Sequence, residues 1–262
     1  MSTFNLEHSI FIKKLKREKI LINFFRFLII IVFLLGWEFL ARLEIINTFL
    51  FSSPSRVLVT LINLFKDGEL FKHIGVTLYE VLISFGITGV VGISCAFLLW
   101  KYPTLAKIID PYLTILNSLP KVALGPLIII WVGASTNSII FMALMISCFV
   151  TIINIYNNFI STDTGYITLM KSFRASDLQI FRKVILPSNL QNIVSAMKVN
   201  VSMSLIGVIM GELLVSKEGI GYLIMYGSQV FNIDLVITGV FILGVISFIM
   251  YYIVNKMELL FK

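Results

Sequence analysis

One uncharged stretch limits the folds open to this chain more than any other feature. Between Lys121 and Asp163 the sequence has 41 residues without a charged side chain. A single helix of that length would be about 60 Å long, twice the thickness of a bilayer core. The stretch therefore has to fold back, and the polar, glycine-containing segment at 132–138 supplies the turn. The sequence predicts two membrane helices here, at 112–133 and 137–157.

The composition extends this conclusion to the whole chain. Of the 262 residues, 58% are hydrophobic and 13% are charged, and the mean hydropathy is +0.96. A soluble domain carries about 25% charged residues, so this chain cannot cover a soluble surface. We predict an all-α membrane protein, and we attribute the net charge of +7 to membrane orientation rather than to nucleic-acid binding. The six predicted spans are 22–42, 79–100, 112–133, 137–157, 191–214 and 235–255. Pro120 and Pro126 should bend or break the third.

The distribution of lysine and arginine predicts the orientation of these spans. With a cytoplasmic N-terminus, the inside segments hold 15 basic residues and the outside segments hold 5. Basic residues are enriched on the cytoplasmic side of a membrane. We therefore expect a multi-pass membrane protein with cytoplasmic tails at 1–21 and 256–262. The first tail has no small-residue cleavage site and resembles a retained anchor.

The remaining segments divide into an outside loop and a core. Residues 43–78 are predicted to be extracytoplasmic and to contain an interfacial helix, with Ser53 as its N-cap and Gly68 past its end. The core at 79–255 holds five spans and a polar cytoplasmic loop at 158–190.

The most polar part of that loop is MKSFRASDLQIFRKVILP, residues 170–187. Ser176 and Gln179 have the spacing of a capping box, which predicts a helix start. An apolar stripe follows at Leu178, Phe181 and Ile185. The pattern indicates two short helices that meet at a tight corner. Met170 and Phe173 are large apolar groups that a bare loop would not expose without a partner. An ordinary charged loop and a protein-docking element both remain open from spacing alone.

The same segment resembles the cytoplasmic loop of permease subunits of bacterial ABC importers, which reads E-A-A, three residues, G, nine residues, I-x-L-P. The end of this pattern stands at 184–187 as Val-Ile-Leu-Pro, whereas Thr168 replaces the glutamate and Arg174 replaces the glycine. The segments FRASDLQIFRKVILP, FSSPSRVLVTL, SLPKVALGPLIIIWVGAS and GELLVSKEGIGYLI resemble the nitrate/sulfonate/taurine branch of that family. The resemblance covers residues 45–255.

This resemblance implies a type I importer permease fold in a bacterial inner membrane. Two copies of the chain would form the pore, and the corner at 172–178 would be the coupling helix of a cytoplasmic ABC ATPase. Two such ATPases would bind ATP-Mg, and an extracytoplasmic binding protein would deliver the solute. The residues implied to couple to the ATPase are Met170, Ser172, Phe173, Arg174, Ala175, Ser176, Asp177, Leu178 and Pro187.

Four further residues are predicted to line or gate the translocation path. Glu212 lies near the outer end of the fifth span, where an ionisable group is a functional hypothesis. A helix-end residue in water is the alternative. Gly219 and Gly221 are implied by the resemblance to let the chain turn back toward the pore. Lys121 could neutralise an anionic substrate, or it could simply reach the membrane interface.

Other functional classes have less support in the sequence. A P-loop motif does not occur, so ATP hydrolysis is expected on a separate chain and this chain is not expected to be an enzyme. His73 and Glu80 are interpreted as interface residues, and no metal or other cofactor is expected. A secondary transporter remains the alternative of another class. The expected solute is a sulfonate, taurine or nitrate, and a thiamine-pyrimidine or riboflavin-type solute is the alternative.

Overall fold

The computed structural model of the chain describes residues 2–259, and side chains are described for residues 14–256. Its helices are α1 (Ser2–Arg42), α2 (Thr48–Phe51), α3 (Pro54–Lys66), α4 (Glu69–Lys101), α5 (Pro103–Ser118), α6 (Gly125–Val132), α7 (Thr136–Ile160), α8 (Thr164–Ser172), α9 (Asp177–Ile180), α10 (Leu186–Ser188), α11 (Leu190–Val215), α12 (Ile220–Gln229) and α13 (Ile233–Leu259). The residues that the structure describes contain no strand, so the predicted all-α fold is confirmed. The chain divides into two compact units, residues 1–62 and 63–262.

The first unit begins with one long helix. α1 is continuous from Ser2 to Arg42, and its part at 14–42 is apolar and long enough to cross a membrane. The predicted boundary between a tail at 1–21 and a span at 22–42 is therefore not a structural break. The polar residues at the start are good helix formers, and no proline or glycine interrupts them.

The short helix predicted in the outside loop is also present. α3 begins at Pro54, and the Ser53 hydroxyl accepts a hydrogen bond from the Arg56 amide at 3.4 Å. Gly68 follows its end in the left-handed conformation, with φ of 76°. The predicted cap and stop of this helix are confirmed. Proline suits the first position of a helix, and glycine suits the left-handed position after its end.

The next helix starts earlier than the sequence predicts. α4 begins at Glu69, ten residues before the expected start at 79, and runs for 33 residues to Lys101. The charged and polar residues at 69–80 favoured the prediction of an outside loop. In the structure several of them are buried on the helix rather than exposed to water. The segment predicted at 43–78 therefore includes the first ten residues of this helix. Below, the two ends of the second unit are named the Glu69 end and the Lys101 end.

The predicted proline break is confirmed. α5 and α6 are separated by a 3-10 turn at Lys121–Leu124 that follows Pro120, and the two halves bend by 83°. By length and apolarity five helices could cross a membrane, or six if this bent pair counts as one span. The predicted turn after α6 is present as well, because Gly133 has φ of 89° and Ser135 caps α7.

The core of the second unit is built around α7, which packs most extensively on α4 and α11. Gly207 on α11 permits the closest approach. A Cβ atom there would lie 2.4 Å from the Cα atom of Ala143 on α7, so any side chain would push the two helices apart. α12 and α13 pack against each other and against α11.

Candidate functional site

The polar loop forms the helical corner that the sequence predicts. α8 ends at Ser172, and α9 begins at Asp177 after the N-cap Ser176. The Ser176 amide donates to Gln179 Oε1 at 2.8 Å, and the Gln179 amide donates to Ser176 Oγ at 3.4 Å. The predicted capping box is confirmed in both of its hydrogen bonds. It starts the second helix immediately after the turn.

Arg174 forms the turn itself. Its φ is 55°, in the left-handed region that favours glycine. The Arg174 amide donates to the Lys171 carbonyl at 2.9 Å, and the Ala175 amide donates to the Met170 carbonyl at 3.1 Å. These bonds satisfy the last carbonyls of α8, as a left-handed residue after a helix commonly does. The family pattern has glycine at this position, and the backbone keeps the glycine-like conformation although an arginine occupies it.

The base of the corner is anchored in an aromatic cluster. Phe181 is buried, and its ring centroid lies 4.5 Å from that of Phe97, 5.8 Å from that of Trp100 and 5.3 Å from that of Phe159. These partners come from α4 and α7, so the corner is attached to two membrane-type helices. Packed aromatic rings of this kind stabilise a fixed orientation.

The predicted apolar stripe is wrong for one of its three residues, Leu178. Phe181 and Ile185 are buried, but Leu178 is 49% exposed. The turn at Phe181–Ile185 is a π-helix, which changes the register between the two ends of the stripe. Leu178 therefore points away from the core that holds the other two side chains.

The corner exposes most of the residues predicted to couple to an ATPase. Phe173 is 74% exposed at its tip. Met170 and Ala175 instead pack, half-buried, against the cluster around Phe181. The other predicted residues are exposed: Ser172, Arg174, Ser176, Asp177, Leu178 and Pro187. The outward surface of the corner thus combines the apolar side chains of Phe173 and Leu178 with charged and hydroxyl groups.

At the Glu69 end, three of the predicted residues form a buried latch together with two polar residues of α4. Glu212 accepts hydrogen bonds from the Thr77 hydroxyl at 2.6 Å and from the Gly221 amide. Thr77 Oγ1 also accepts from the Ile220 amide at 2.9 Å, and His73 Nδ1 accepts from the Gly219 amide at 2.9 Å. We call His73, Thr77, Glu212, Gly219 and Gly221 the latch. It fastens the turn between α11 and α12 onto α4.

Gly219 is required at its position in the latch. Its φ is 103°, and a Cβ atom there would lie 2.4 Å from the carboxyl carbon of Glu212. Any side chain would therefore be strained and would also displace the carboxyl group. The predicted turn at Gly219 and Gly221 is present. Its position relative to a pore stays a prediction.

Burial corrects three interpretations of the sequence. Glu212 is 1% exposed, so it is not a helix-end residue in water. His73 and Glu80, interpreted above as interface residues, are 4% and 0% exposed. The cause is long-range, because the turn after α11 folds over this part of α4 and donates its amides to it. The helical spacing of His73, Thr77 and Glu80 along α4 is the signal that could have identified them as one face.

Lys121 lies apart from the latch, in the turn between α5 and α6. It is half-buried, and its Nζ donates to Asn117 Oδ1 at 3.1 Å and to the Ile146 carbonyl at 3.5 Å. The same Nζ lies 5.6 Å from the ring centroid of Phe149. Its ammonium group is therefore engaged within the chain, and contact with a substrate stays a prediction.

Comparison with known proteins identifies relatives that match most of this chain. The sequence profile of the family described as "Binding-protein-dependent transport system inner membrane component" matches residues 89–258. A probable ABC transporter permease protein of Haemophilus influenzae is 31% identical over 87% of this chain and 92% of its own. The putative aliphatic sulfonates transport permease protein SsuC of Bacillus subtilis is 26% identical over 80% and 76%. The formylaminopyrimidine transport permease protein ThiX of Halalkalibacterium halodurans is 27% identical over 85% and 88%.

A solved structure shares the fold. A chain of the MetNI methionine ABC transporter, in an inward-facing conformation, superposes with a TM-score of 0.65 at 18% identity, over 72% of this chain and 94% of that one. At this identity the likeness concerns the fold alone. The predicted type I importer permease fold is confirmed. This chain belongs to the binding-protein-dependent transport system inner membrane component family, and it is a multi-pass permease subunit of an ABC importer.

Proposed function

We propose that two copies of this chain form the pore of an ATP-driven importer and that each copy docks a separate ABC ATPase at residues 172–178. The observation that carries this proposal is Phe173, an aromatic side chain 74% exposed at the tip of an anchored corner. Large apolar groups presented in this way mark contact surfaces. The Phe97, Phe159 and Phe181 cluster beneath the corner links it to α4 and α7, so a push on the corner is transmitted to those helices.

The energy source and the orientation follow from the same proposal. ATP-Mg binds to the two ATPases, and their closure moves the paired corners toward each other. The corner lies on the cytoplasmic side together with both termini, in agreement with the excess of lysine and arginine in those segments. A binding protein on the opposite side delivers the solute to the Glu69 end.

The solute is small, and a sulfonate, taurine or nitrate is our first candidate. The resemblance of the sequence segments and the sulfonate permease of Bacillus subtilis support this choice. The formylaminopyrimidine permease of Halalkalibacterium halodurans is equally similar, so a thiamine-pyrimidine type of solute is the second candidate.

Co-purification from mild detergent tests the docking proposal. The tagged chain should bring down a soluble ATPase that mass spectrometry identifies. Deletion of 172–178 should abolish that association. Phe173→Ala should weaken it while the chain still inserts into the membrane, because it removes one exposed ring and no core contact.

The matched control is Phe231→Ala. Phe231 is likewise a highly exposed phenylalanine in a turn between helices, with 71% exposure, and it precedes α13 at the Glu69 end. It should leave ATPase recovery unchanged. Recovery of the chain alone, stable and without any ATPase, would contradict the proposal and favour a self-sufficient transporter.

A further inference from the structure

Two buried carboxyl groups meet beside the latch, where α4 packs against α11. Glu80 of α4 is 0% exposed and Glu212 of α11 is 1% exposed. Each is a hydrogen-bonding neighbour of the other, and the Thr136 hydroxyl lies beside Glu80 as well. Glu80 follows Thr77 by three residues, so both lie on the same face of α4.

This pair of carboxyl groups has no cation to compensate it. Neither group forms an ion pair with any residue whose side chain the structure describes. The basic groups of the same end are paired with other carboxylates or exposed: Lys72 pairs with Glu218 at 3.0 Å, His73 Nε2 lies 3.3 Å from Glu69 Oε2, and Lys217 is exposed. Two carboxylates would therefore repel each other here, and as acceptors only they could not hydrogen-bond to each other. One shared proton removes the repulsion and supplies the missing donor.

The hydrogen bonds indicate which carboxyl group carries this proton. Glu212 Oε1 accepts from the Thr77 hydroxyl at 2.6 Å, and Glu212 Oε2 accepts from the Gly221 amide. No donor bonds either oxygen of Glu80. Donors stabilise the ionised form of an acid, so Glu212 is the carboxylate and Glu80 is the acid. The O–H of Glu80 then donates to Glu212, and its other oxygen is left to accept from Thr136.

We propose that Glu80 keeps its proton at neutral pH and donates it in a hydrogen bond to Glu212, so that a neutral acid and a carboxylate clasp α4 to α11 at the Glu69 end. Glu80 is a positioning residue in this arrangement. It acts through Glu212, whose oxygens hold Thr77 and the turn at Gly221. The inference goes beyond the importer function and depends on neither the ATPase nor the solute.

The clasp makes the opening of the latch sensitive to pH. When the turn at 216–221 leaves α4, both carboxyl groups reach water, where a glutamic acid is ionised at neutral pH. Opening then releases one proton, so a rise in pH favours the open latch by up to about tenfold per pH unit. His73 acts in the opposite direction, because its Nδ1 accepts from the Gly219 amide and protonation at low pH would break that bond.

Infrared difference spectroscopy on the purified full-length chain in nanodiscs tests where the proton lies. The spectrum of the wild type minus that of Glu80→Gln, at neutral pH, should show the carbonyl band of one protonated carboxyl group. The band should shift when the protein is prepared in heavy water. Asp67→Asn is the matched control, since it makes the same carboxyl-to-amide change at an exposed position of the same end, and its difference spectrum should lack the band.

A rescue series tests the clasp itself through the rate of proteolysis within 216–221. Glu80→Gln keeps an N–H donor for Glu212, so its cleavage rate at neutral pH should match that of the wild type. Glu80→Leu removes the donor and should be cleaved about tenfold or more faster. Between about pH 6 and 8 the rate of the wild type divided by that of Glu80→Gln should rise with pH, because glutamine has no proton to lose. The contribution of His73 cancels in this ratio.

Four results would overturn the inference: no protonated-carboxyl band in the Glu80→Gln difference spectrum, misfolding of Glu80→Gln, equal cleavage of the Gln and Leu variants, or a cleavage ratio that does not change with pH. The first two would show that Glu80 is not a donor to Glu212. The last two would show that the proton does not hold the latch. ATPase recovery from the same preparation reports on the docking proposal separately.

Discussion

At the scale of single residues, the corner and the latch both depend on backbone positions that constrain the side chain. Gly219 needs its φ of 103° and also needs the space that a Cβ atom would occupy. Arg174 has a φ of 55° without being glycine, which costs about 1 kcal/mol relative to a relaxed residue. The turn is held in this conformation by the capping box of α9 on one side and by hydrogen bonds to the last carbonyls of α8 on the other.

Replacement of Arg174 by glycine tests this view of the turn. We expect Arg174→Gly to stabilise the chain by up to about 1 kcal/mol, because glycine adopts the left-handed conformation without strain. ATPase recovery should be preserved or increased. Thermal unfolding in one detergent and co-purification are the two measurements. Arg174→Ala is the control, since it removes the same guanidinium but keeps a Cβ atom at positive φ. Loss of ATPase from both variants would show that the guanidinium is itself a contact.

Thr77 provides a second test at this scale. Its hydroxyl donates to Glu212 and accepts from the Ile220 amide, so Thr77→Val leaves two buried groups without that partner. We expect a loss of about 2–3 kcal/mol in stability and faster proteolysis within 216–221. Thr168→Val is the control, because its exposed hydroxyl bonds only the Thr164 carbonyl of its own helix. Equal effects of the two changes would contradict the latch.

The latch also shows why sequence alone could not assemble it. Glu212, Gly219 and Gly221 were predicted as special residues, but their partners on α4 were not. His73 and Thr77 are separated from Gly219 and Ile220 by 146 and 143 residues. Polar residues at helical spacing on α4 indicate a shared face but not whether water or protein covers it. Only the packing of α11 and the following turn decides that.

At the scale of elements, glycine contacts set the spacing between the core helices. Gly207 on α11 faces the backbone of α7 at Ala143, and the contact is closer than any side chain permits. Such contacts let membrane helices associate closely where the hydrophobic effect gives little help.

A matched pair of glycine substitutions tests that role. Gly207→Ala should destabilise the chain by about 1–3 kcal/mol, because the new methyl group overpacks the contact with α7. Gly244→Ala, on α13 with no atom within 4 Å of the added Cβ, should be neutral or stabilising. The comparison uses thermal midpoints in the same detergent. A neutral Gly207→Ala would show that the two helices are not held this closely.

The sequence predicted element boundaries well where proline, glycine or a cap marks them. The break at Pro120, the turn at Gly133 and the start of α9 after Ser176 are all found. The prediction of boundaries was wrong where no proline, glycine or cap marks them. The start of α4 at Glu69 was hidden by buried polar residues, and the π-turn at 181–185 has no local signature, so the orientation of Leu178 was wrong.

At the scale of the whole molecule, the bilayer is what made the fold predictable. Backbone groups in lipid must be satisfied within the segment, so long apolar stretches are helices. The number of predicted spans follows from counting, and the helices of the structure agree with it when the bent pair counts as one span. The solute was not predictable in the same way, because neither composition nor the count of spans carries information about it.

Orientation can be measured for the intact chain. In a background with Cys95→Ala and Cys148→Ala, Phe231→Cys should react with a membrane-impermeant maleimide added to whole cells. Phe173→Cys should react only after the membrane is permeabilised. Both positions are more than 70% exposed, so access to the reagent rather than burial decides the result. The opposite pattern would place the corner outside the cell and would remove the proposed ATPase contact.

The most direct measurement of the central proposal is cross-linking from position 173 in the assembled complex. Phe173 is replaced by a photoreactive phenylalanine analogue, the complex is irradiated in native membranes, and the adduct is identified by mass spectrometry. Phe231 carries the same replacement as the control. The account predicts an adduct between position 173 and a soluble ABC ATPase, and no such adduct from position 231. Adducts from position 173 with lipid or with this chain alone would contradict it.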